Sequence, residues 1–183
     1  MSRLTSMSPE ALQAVFSPET DSTLITVVTI YDPDTPSNVV LRLCDGFTKR
    51  ISENAEEVIY GITWQGNDYT FLPMEITLPT EEQGQAPRCS IVMYDVTRYV
   101  VPIARTITGP PKIKLDLLLS KYVEPGNALF NTSAAAEATF NEFYISNFTY
   151  NQDQVSAELT MINYEREPFP LYNFTPAYFP GLF

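Results

Sequence analysis

The stretch ATFNEFYISNFTYNQDQVSAELTMINY, Ala138–Tyr164, reads as two strands joined by a turn. In its second half, apolar side chains alternate with polar ones, which is the period of a strand with one buried face. The polar run Asn151–Asp153 is rich in residue types that favour turns. The stretch therefore predicts a long β-hairpin that turns near Asn151–Asp153. The alternating apolar residues are Val155, Ala157, Leu159 and Met161.

Outward from this hairpin, the same two-residue period recurs along the chain. The segment KIKLDLLLS, Lys112–Ser120, predicts an amphipathic strand with leucine and isoleucine on one face and Lys112, Lys114 and Asp116 on the other. The segment RCSIVMYD, Arg88–Asp95, is fairly apolar on both faces, as expected for a strand near the middle of a sandwich. Further strands are predicted at 24–31, at 39–45, and on both sides of a turn at Gln65–Asp68.

Two short helices are also expected. The first starts after the N-cap residue Ser8, with Pro9 at the first helical position and Glu10 near the positive end of the helix dipole. The second is a helical turn at Arg98–Arg105, kinked or started late by a proline and ended by glycine and proline. The apolar face expected for the first helix consists of Leu12, Val15 and Phe16.

About eight strands and two short helices predict a mainly β fold, of β-sandwich or barrel-like type. A chain of 183 residues is long enough for one domain with a substantial core. We expect residues 1–167 to form a single domain with a long hairpin, and residues 168–183 to form an extended C-terminal strap.

The available side chains argue against catalysis and metal binding. The chain has no histidine, which is the commonest general base and zinc ligand. Its 22 acidic residues could in principle supply the carboxylate pair of a glycosidase, but they cluster in segments that we interpret as solvated loops. We therefore expect no enzymatic activity, no cofactor and no metal. Cys44 and Cys89 are interpreted as small buried hydrophobes rather than as a disulfide or a reactive pair.

The net charge and the hydropathy of the sequence argue against two kinds of interaction. The formal net charge of -11 argues against nucleic-acid binding, which depends on lysine and arginine displacing phosphate counterions. No stretch of sequence approaches the roughly 20 consecutive apolar residues that a membrane-spanning helix needs. We therefore expect neither a sequence-specific nucleic-acid ligand nor a membrane span.

The C-terminal residues 168–183 are uncharged and contain four prolines and eight large apolar or aromatic side chains. Burying one aromatic side chain contributes about 1.5 to 3 kcal/mol, so this segment is expected to be docked. The prolines favour an extended path that loses little entropy on docking. The strap would lie either on its own domain or in a groove of a neighbouring subunit. Its expected partner-binding anchors are Phe169, Tyr172, Phe174, Tyr178, Phe179, Leu182 and Phe183.

Three segments resemble a family of long-tailed bacteriophage tail-tip (minor tail) proteins that carries an unknown-function label. The most specific element is Phe-Thr-Pro-Ala-x-Phe-Pro-Gly-Leu-Phe, which is Phe174–Phe183 here, and the resemblance extends from about Leu41 to the end. A second resemblance is to the N-terminal part of the minor tail protein L family of lambda-like phages. It covers mainly Ile62–Leu119 and rests on the segment ITWQGNDYTFLPMEI. The three segments are PMEITLPTEEQGQAPRCSIVMYDVTR, TGPPKIKLDLLLSKY and NYEREPFPLYNFTPAYFPGLF.

The resemblance implies a structural component of the siphophage virion, placed at the tail tip after assembly in the host cytoplasm. Such a minor tail or baseplate-hub-associated protein forms a homo-oligomeric ring at the distal end of the tail tube, with three-fold symmetry favoured over six-fold. The implied partners are the distal tail or tube protein, the hub or tip attachment protein and the tape-measure protein. The hairpin Ala138–Tyr164 and the strand Lys112–Lys121 are expected to form the lobe that meets neighbouring subunits.

Two features limit this expectation. The lambda-like proteins carry a C-terminal cysteine-rich region associated with an iron–sulfur cluster, whereas this chain has only Cys44 and Cys89, so the cluster is not carried over. A carbohydrate-binding β-sandwich that acts in host adsorption is the alternative, because it would account for the aromatic fraction of 13%. That alternative predicts exposed aromatic side chains on a concave sheet face or in a loop.

Overall fold

The computed structural model describes residues 7–35, 38–52, 58–78, 88–94, 100, 105, 107, 109–151 and 154–161, with only the backbone of Glu142. These residues form a mainly β fold, as predicted, although with ten strands rather than about eight. The helices are α1, Pro9–Phe16, and α2, Ser120–Val123. The strands are β1, Leu24–Tyr31; β2, Val39–Cys44; β3, Lys49–Arg50; β4, Tyr60–Trp64; β5, Asn67–Phe71; β6, Met74–Thr77; β7, Arg88–Met93; β8, Lys112–Leu119; β9, Ala138–Tyr150; and β10, Val155–Met161.

All ten strands belong to one sheet in the order β3-β4-β5-β2-β1-β8-β9-β10-β7-β6. Neighbouring strands are antiparallel except β2 and β5, which run parallel and pair over only two positions, Leu43 with Thr70 and Cys44 with Phe71. The sheet is therefore mixed. Among the described strands it is also open, because β3 and β6 each have a neighbour on one side only.

The long hairpin predicted at Ala138–Tyr164 is confirmed as β9 and β10 up to Met161, and residues 162–164 lie outside the described part of the chain. The two strands pair antiparallel from Val155 opposite Tyr150 to Met161 opposite Phe143. The backbone N–H of Asn151 donates to the carbonyl of Gln154 at 2.8 Å and closes the turn. The turn residues 152 and 153 lie outside the described part of the chain.

Two hydrophobic cores lie on opposite faces of the central strands. Successive side chains of a strand point to opposite faces, and on β1 Val28 and Ile30 join one core while Ile25 and Val27 join the other. The large core contains side chains from β1, β2, β7, β8, β9 and β10. The small core contains side chains from β1, β2, β4, β5, β8 and α2, including the only tryptophan, Trp64. As a result β1 and much of β8 are buried on both faces.

Three sequence-based expectations about packing are wrong. Asp116 is not on an exposed face of β8: it is buried, because the second face of this strand borders the small core. Strand β7 is the second strand from the edge of the sheet, and its burial alternates, so only one face is covered. On α1 the buried residue is Ala11, whereas Val15 and Phe16 are exposed, since the helix packs on the domain through its N-terminal turn.

The start of α1 follows the prediction. Ser8 caps the helix, its Oγ accepting a hydrogen bond from the backbone N–H of Ala11 at 3.1 Å, and Pro9 and Glu10 occupy the first turn. The second predicted helix, Arg98–Arg105, lies mostly outside the described residues, although Val100 and Arg105 have helical conformation. Helix α2 was not predicted. No helix among the described residues has the length and apolar character required to cross a membrane.

The turn predicted at Gln65–Asp68 is tighter than expected. Only Gln65 and Gly66 connect β4 to β5, and both have positive φ, 49° and 73°. Two consecutive residues with positive φ match the type I′ turn that suits the twist of a two-residue hairpin. The backbone N–H of Gln65 also donates to the carbonyl of Thr132 at 2.7 Å, which ties this hairpin to the segment before β9.

Candidate interaction surfaces

Asp116 is the most deeply buried charged side chain among the described residues, with 1% of its surface exposed. Its Oδ1 accepts a hydrogen bond of 2.6 Å from Thr139 Oγ1, on the residue paired with it across β8 and β9. Its Oδ2 lies 2.9 Å from Lys114 Nζ, which is 5.8 Å from the centroid of the Trp64 ring. Oδ2 has no hydrogen-bond partner among the described residues, and the ion pair with Lys114 balances its charge. We therefore interpret this group as part of the packing rather than as a reactive carboxylate.

Glu137 joins both helices to the start of β9. Its Oε2 accepts from the backbone N–H of Ser8 at 2.7 Å, and its Oε1 accepts from Ser8 Oγ at 2.8 Å and from the Tyr122 hydroxyl at 3.0 Å. The pKa of Tyr122 is raised, first by burial and then by its contact with the Glu137 carboxylate. The Glu137 carboxylate therefore holds both the N-cap residue of α1, Ser8, and a side chain of α2, Tyr122.

The two cysteines are free and buried, on opposite faces of the sheet. Burial raises the pKa of Cys44 to about 12 and that of Cys89 to about 11. Thiols with such pKa values are almost wholly protonated at neutral pH, and the thiol is a poor nucleophile and metal ligand. The interpretation of both residues as buried hydrophobes is confirmed. Among the described residues, no three Cys, Asp or Glu side chains are grouped so that they could hold a metal ion.

An apolar cavity of about 280 Å³ lies over the large core, where the chain enters β8. Residues of β1, β2, β7, β8, β9 and β10 line it, together with five described residues of the segment before β8, which are Val100, Ile107, Gly109, Pro110 and Pro111. Arg105 from this segment places its guanidinium 5.7 Å from the centroid of the Tyr150 ring, near the tip of the hairpin. Among the lining residues, Ile145 and Phe148 belong to β9 and Ala157 belongs to β10.

Strand β9 extends beyond its neighbour β8 at this cavity. The first residue of β8, Lys112, is opposite Tyr144, so the backbone of Ile145–Tyr150 has β10 on one side and no described strand on the other. The pairing of β9 with β10 shifts register at Ser146, whose Oγ donates to the carbonyl of Glu158 at 3.1 Å. A stretch of β9 therefore has one unpaired edge among the described strands, directly beside the cavity.

A second apolar feature, the aromatic patch, consists of Phe47, Tyr60 and Phe71. Phe47 and Tyr60 are 53% and 44% exposed, and Phe71 is partly buried against the small core. The ring centroids of Phe47 lie 5.2 Å from Tyr60 and 4.8 Å from Phe71, with interplanar angles of 45° and 62°. The rings thus pack edge against face, as aromatic pairs prefer, and do not form one flat platform.

The site residues predicted from the sequence and those placed by the structure are different sets. The strap anchors at 169, 172, 174, 178, 179, 182 and 183 all lie outside the described residues, as does the proposed domain boundary at 167. Sequence reasoning missed the aromatic patch, because Phe47 occurs in the polar segment GFTKRISENAEE, which shows neither the helical nor the strand period. An aromatic residue flanked by polar ones was the available signal.

The comparisons with known proteins give no information about function. No family model matches the chain, and no curated protein matches it. The sequence resemblance and the geometry described above are therefore the grounds for a functional proposal.

Proposed function

We propose that the protein is a non-enzymatic structural subunit of a siphophage tail tip, where it assembles into a ring through contacts with copies of itself and with other tail proteins. The observation that carries this proposal is the closing sequence Phe174–Phe183, whose pattern resembles that of the tail-protein family. The proposed location is the virion, with the host cytoplasm as the site of assembly. The proposed neighbours are the distal tail or tube protein, the hub or tip attachment protein and the tape-measure protein.

The aromatic patch supports this proposal. Aromatic residues are enriched in the buried centre of protein–protein interfaces, and an exposed apolar cluster is unfavourable unless a partner covers it. About half of the surface of Phe47 and of Tyr60 is exposed to solvent in the described part of the chain. The patch lies near β3, at one edge of the sheet, which would leave the rest of the sheet free for other contacts.

The long hairpin supports it as well. The end of β9 and the start of β10 extend beyond β8, and Tyr150 near the tip is 51% exposed. Strand β10 is paired with β7 from Val155 onward, so the surface that the hairpin offers a neighbouring subunit is its end, near the exposed ring of Tyr150. We propose that the hairpin and β8 form the lobe that meets neighbouring subunits.

The test is to identify the protein in purified particles of the phage that encodes it. Mass spectrometry should find the chain in a fixed ratio to the other tail proteins, and particles made without its gene should have incomplete tails. A gene copy supplied in trans should restore infectious particles. The variant Phe47→Ser should restore fewer, while Phe16→Ser, which changes a 69% exposed aromatic on α1, serves as the matched control.

Two outcomes would count against the proposal. The chain could be abundant in infected cells yet absent from purified particles, or particles lacking it could assemble normal, infectious tails. Either result would place its function outside the virion.

A carbohydrate-binding module is the second candidate, because its expected exposed aromatics are present as Phe47 and Tyr60. Sugar-binding sites usually offer a flat ring with polar groups beside it, whereas here the rings are inclined and Trp64 is only 2% exposed. Binding of the purified protein to an array of bacterial surface glycans, abolished by Phe47→Ser, would favour this candidate. Without such binding, the assembly role remains the better proposal.

A further inference from the structure

The cavity beside β9 has the size and chemistry to receive an aromatic side chain. A cavity of about 150 Å³ lined by aliphatic and aromatic residues is large enough for benzene, and the cavity here measures about 280 Å³. Ile145, Phe148 and Ala157 present apolar surface to it, and none of the described residues that line it is charged. An uncharged aromatic ring could therefore enter without burying a charge.

The backbone beside the cavity can hold an extended peptide. Ile145–Tyr150 pair with β10 on one side, and no described strand occupies the other side. An extended segment that adds to such an edge gains main-chain hydrogen bonds, while a pocket next to the edge selects particular side chains. Among the described residues, the cavity and this edge of β9 therefore form one surface that suits an extended, aromatic peptide.

The C-terminal strap has the matching chemistry. Residues 168–183 carry no charge, and the prolines at 168, 170, 176 and 180 favour an extended path. The longest stretch without proline is Leu171–Thr175, so its backbone N–H groups are available to pair with a strand edge. Within it, Tyr172 and Phe174 would point to the same face of an extended chain. Phe174 suits an apolar cavity better, because the tyrosine hydroxyl needs a hydrogen-bond partner when it is buried.

The distances favour the strap of the same chain. Met161 ends β10, and Ala157, which lines the cavity, is four residues earlier, a span of about 13 Å along a strand. The six residues Ile162–Glu167 can extend over about 20 Å, enough to bring the strap back to the level of the cavity. A tethered segment with a short connection also has an effective concentration in the millimolar range, which a separate copy would have to match.

We propose that Leu171–Thr175 pair with the unpaired edge of β9 in the same chain and place Phe174 in the cavity. The strap then closes the exposed side of the large core and leaves the aromatic patch and the hairpin tip for partners. This docking does not depend on the tail-tip proposal, because it concerns how the chain folds on itself.

The test uses the full-length protein with a photo-reactive benzophenone side chain in place of Phe174. After irradiation, peptide mapping should find the main cross-links to Ile145–Phe148, Ala157 or Pro110–Pro111. The same probe at the exposed position Phe16 is the matched control and should not label these residues. The second variant Ala157→Met, which places a larger side chain in the cavity, should lower the cross-linking yield at Phe174 several-fold while the circular dichroism spectrum stays unchanged.

Mixing the protein with a nitrogen-15-labelled copy before irradiation separates docking in the same chain from docking between chains. Cross-linked pairs should be of one isotope composition at every protein concentration. Mixed pairs that increase with concentration would overturn docking within the chain, and absence of cross-links to the cavity residues would overturn the site itself.

Discussion

The two hydrophobic cores stabilise the same central strands by different means. The large core is built from apolar side chains, with Phe143, Leu115 and Leu159 fully buried in it. The small core is bordered by directional polar contacts, among them a hydrogen bond of 2.8 Å from Trp64 Nε1 to the Ala134 carbonyl and the bond from the partly buried Thr139 to the buried Asp116. The first depends on volume and shape, whereas the second also depends on each polar group keeping its partner.

Substitutions should therefore destabilise the two cores in different ways. An apolar core loses stability in proportion to the surface and volume removed, because no buried group requires a specific partner. A core with buried polar groups can be weakened by the loss of one atom, since the group left behind keeps the full cost of its desolvation. The large core is also the one beside the cavity, so it has room for a further side chain.

The largest effect is expected from Phe143→Ala in the large core. Phe143 is fully buried, and truncating a buried phenylalanine costs about 3 to 5 kcal/mol of the free energy of unfolding. Urea unfolding, followed by the fluorescence of the single tryptophan in the small core, measures this loss. Phe16→Ala, at a 69% exposed position, is the control and should change the free energy of unfolding by less than about 0.5 kcal/mol. Equal effects of the two variants would contradict the described core.

A smaller loss of stability is expected from Gly61→Ala on β4. A Cβ atom at this position would clash with the carbonyl oxygen of Tyr69 on the paired strand and with Ile51 Cδ1. A clash with backbone cannot be relieved by a rotamer change, so we expect a cost near the upper end of the overpacking range, about 3 kcal/mol. The control is Gly109→Ala, whose Cβ would meet Pro33 alone among the described residues, at an ordinary 3.4 Å. A Gly61→Ala protein with unaltered stability would mean that β4 and β5 are not paired in this register.

The polar border of the small core is tested by Thr139→Val. This variant keeps the shape of the side chain but removes the hydroxyl that donates to Asp116 Oδ1. Because Thr139 is itself only partly buried, we expect the free energy of unfolding to fall by about 1.5 kcal/mol, the lower end for hydrogen bonds to charged groups. Thr149→Val removes the exposed hydroxyl contact with Ser156 and should cost less than about 0.5 kcal/mol. If the two substitutions were equivalent, Asp116 would not need this partner.

The parts of the fold that could be predicted from sequence are those set by local pattern. The hairpin of β9 and β10 shows strict alternation around a polar turn, and α1 begins with a capping serine followed by proline and glutamate. Both were predicted at nearly the observed positions because neighbouring residues determine them. The parallel pairing of β2 with β5 could not be predicted, since it joins residues far apart in sequence over only two positions.

Burial was harder to predict than secondary structure. Lys114 and Asp116 alternate with leucines on β8 and have the pattern of a solvated face, but the fold brings Trp64 over that face. Val15 and Phe16 have the spacing of a buried helix face, but α1 contacts the domain through Ala11. In both cases the periodicity indicates that two faces differ and does not identify which one the rest of the chain covers.

The smallest effect on the free energy of unfolding is expected from Asp45→Asn, at the end of β2. This variant removes a charge and keeps the shape of the side chain. Burial raises the pKa of Asp45 above its ordinary value of 3.8, although its Oδ1 accepts a hydrogen bond of 2.7 Å from the backbone N–H of Thr26. A carboxylic acid whose pKa is raised by folding favours the folded state most below its ordinary pKa, and this contribution is lost as the pH rises through the raised value. Asparagine keeps the acceptor and has no charge, so it should avoid that loss.

Relative to the native protein, Asp45→Asn should therefore gain stability from about pH 4 upward and become constant once the native carboxyl is fully ionised. Asp21→Asn is the control of opposite sign, because the ammonium of Lys121, 2.7 Å away, lowers the pKa of Asp21. That variant should lose stability above about pH 4, by a small amount that added salt diminishes, since Asp21 is exposed. Urea unfolding at a series of pH values measures both differences, and two curves of the same sign would show that burial does not control the ionisation of Asp45.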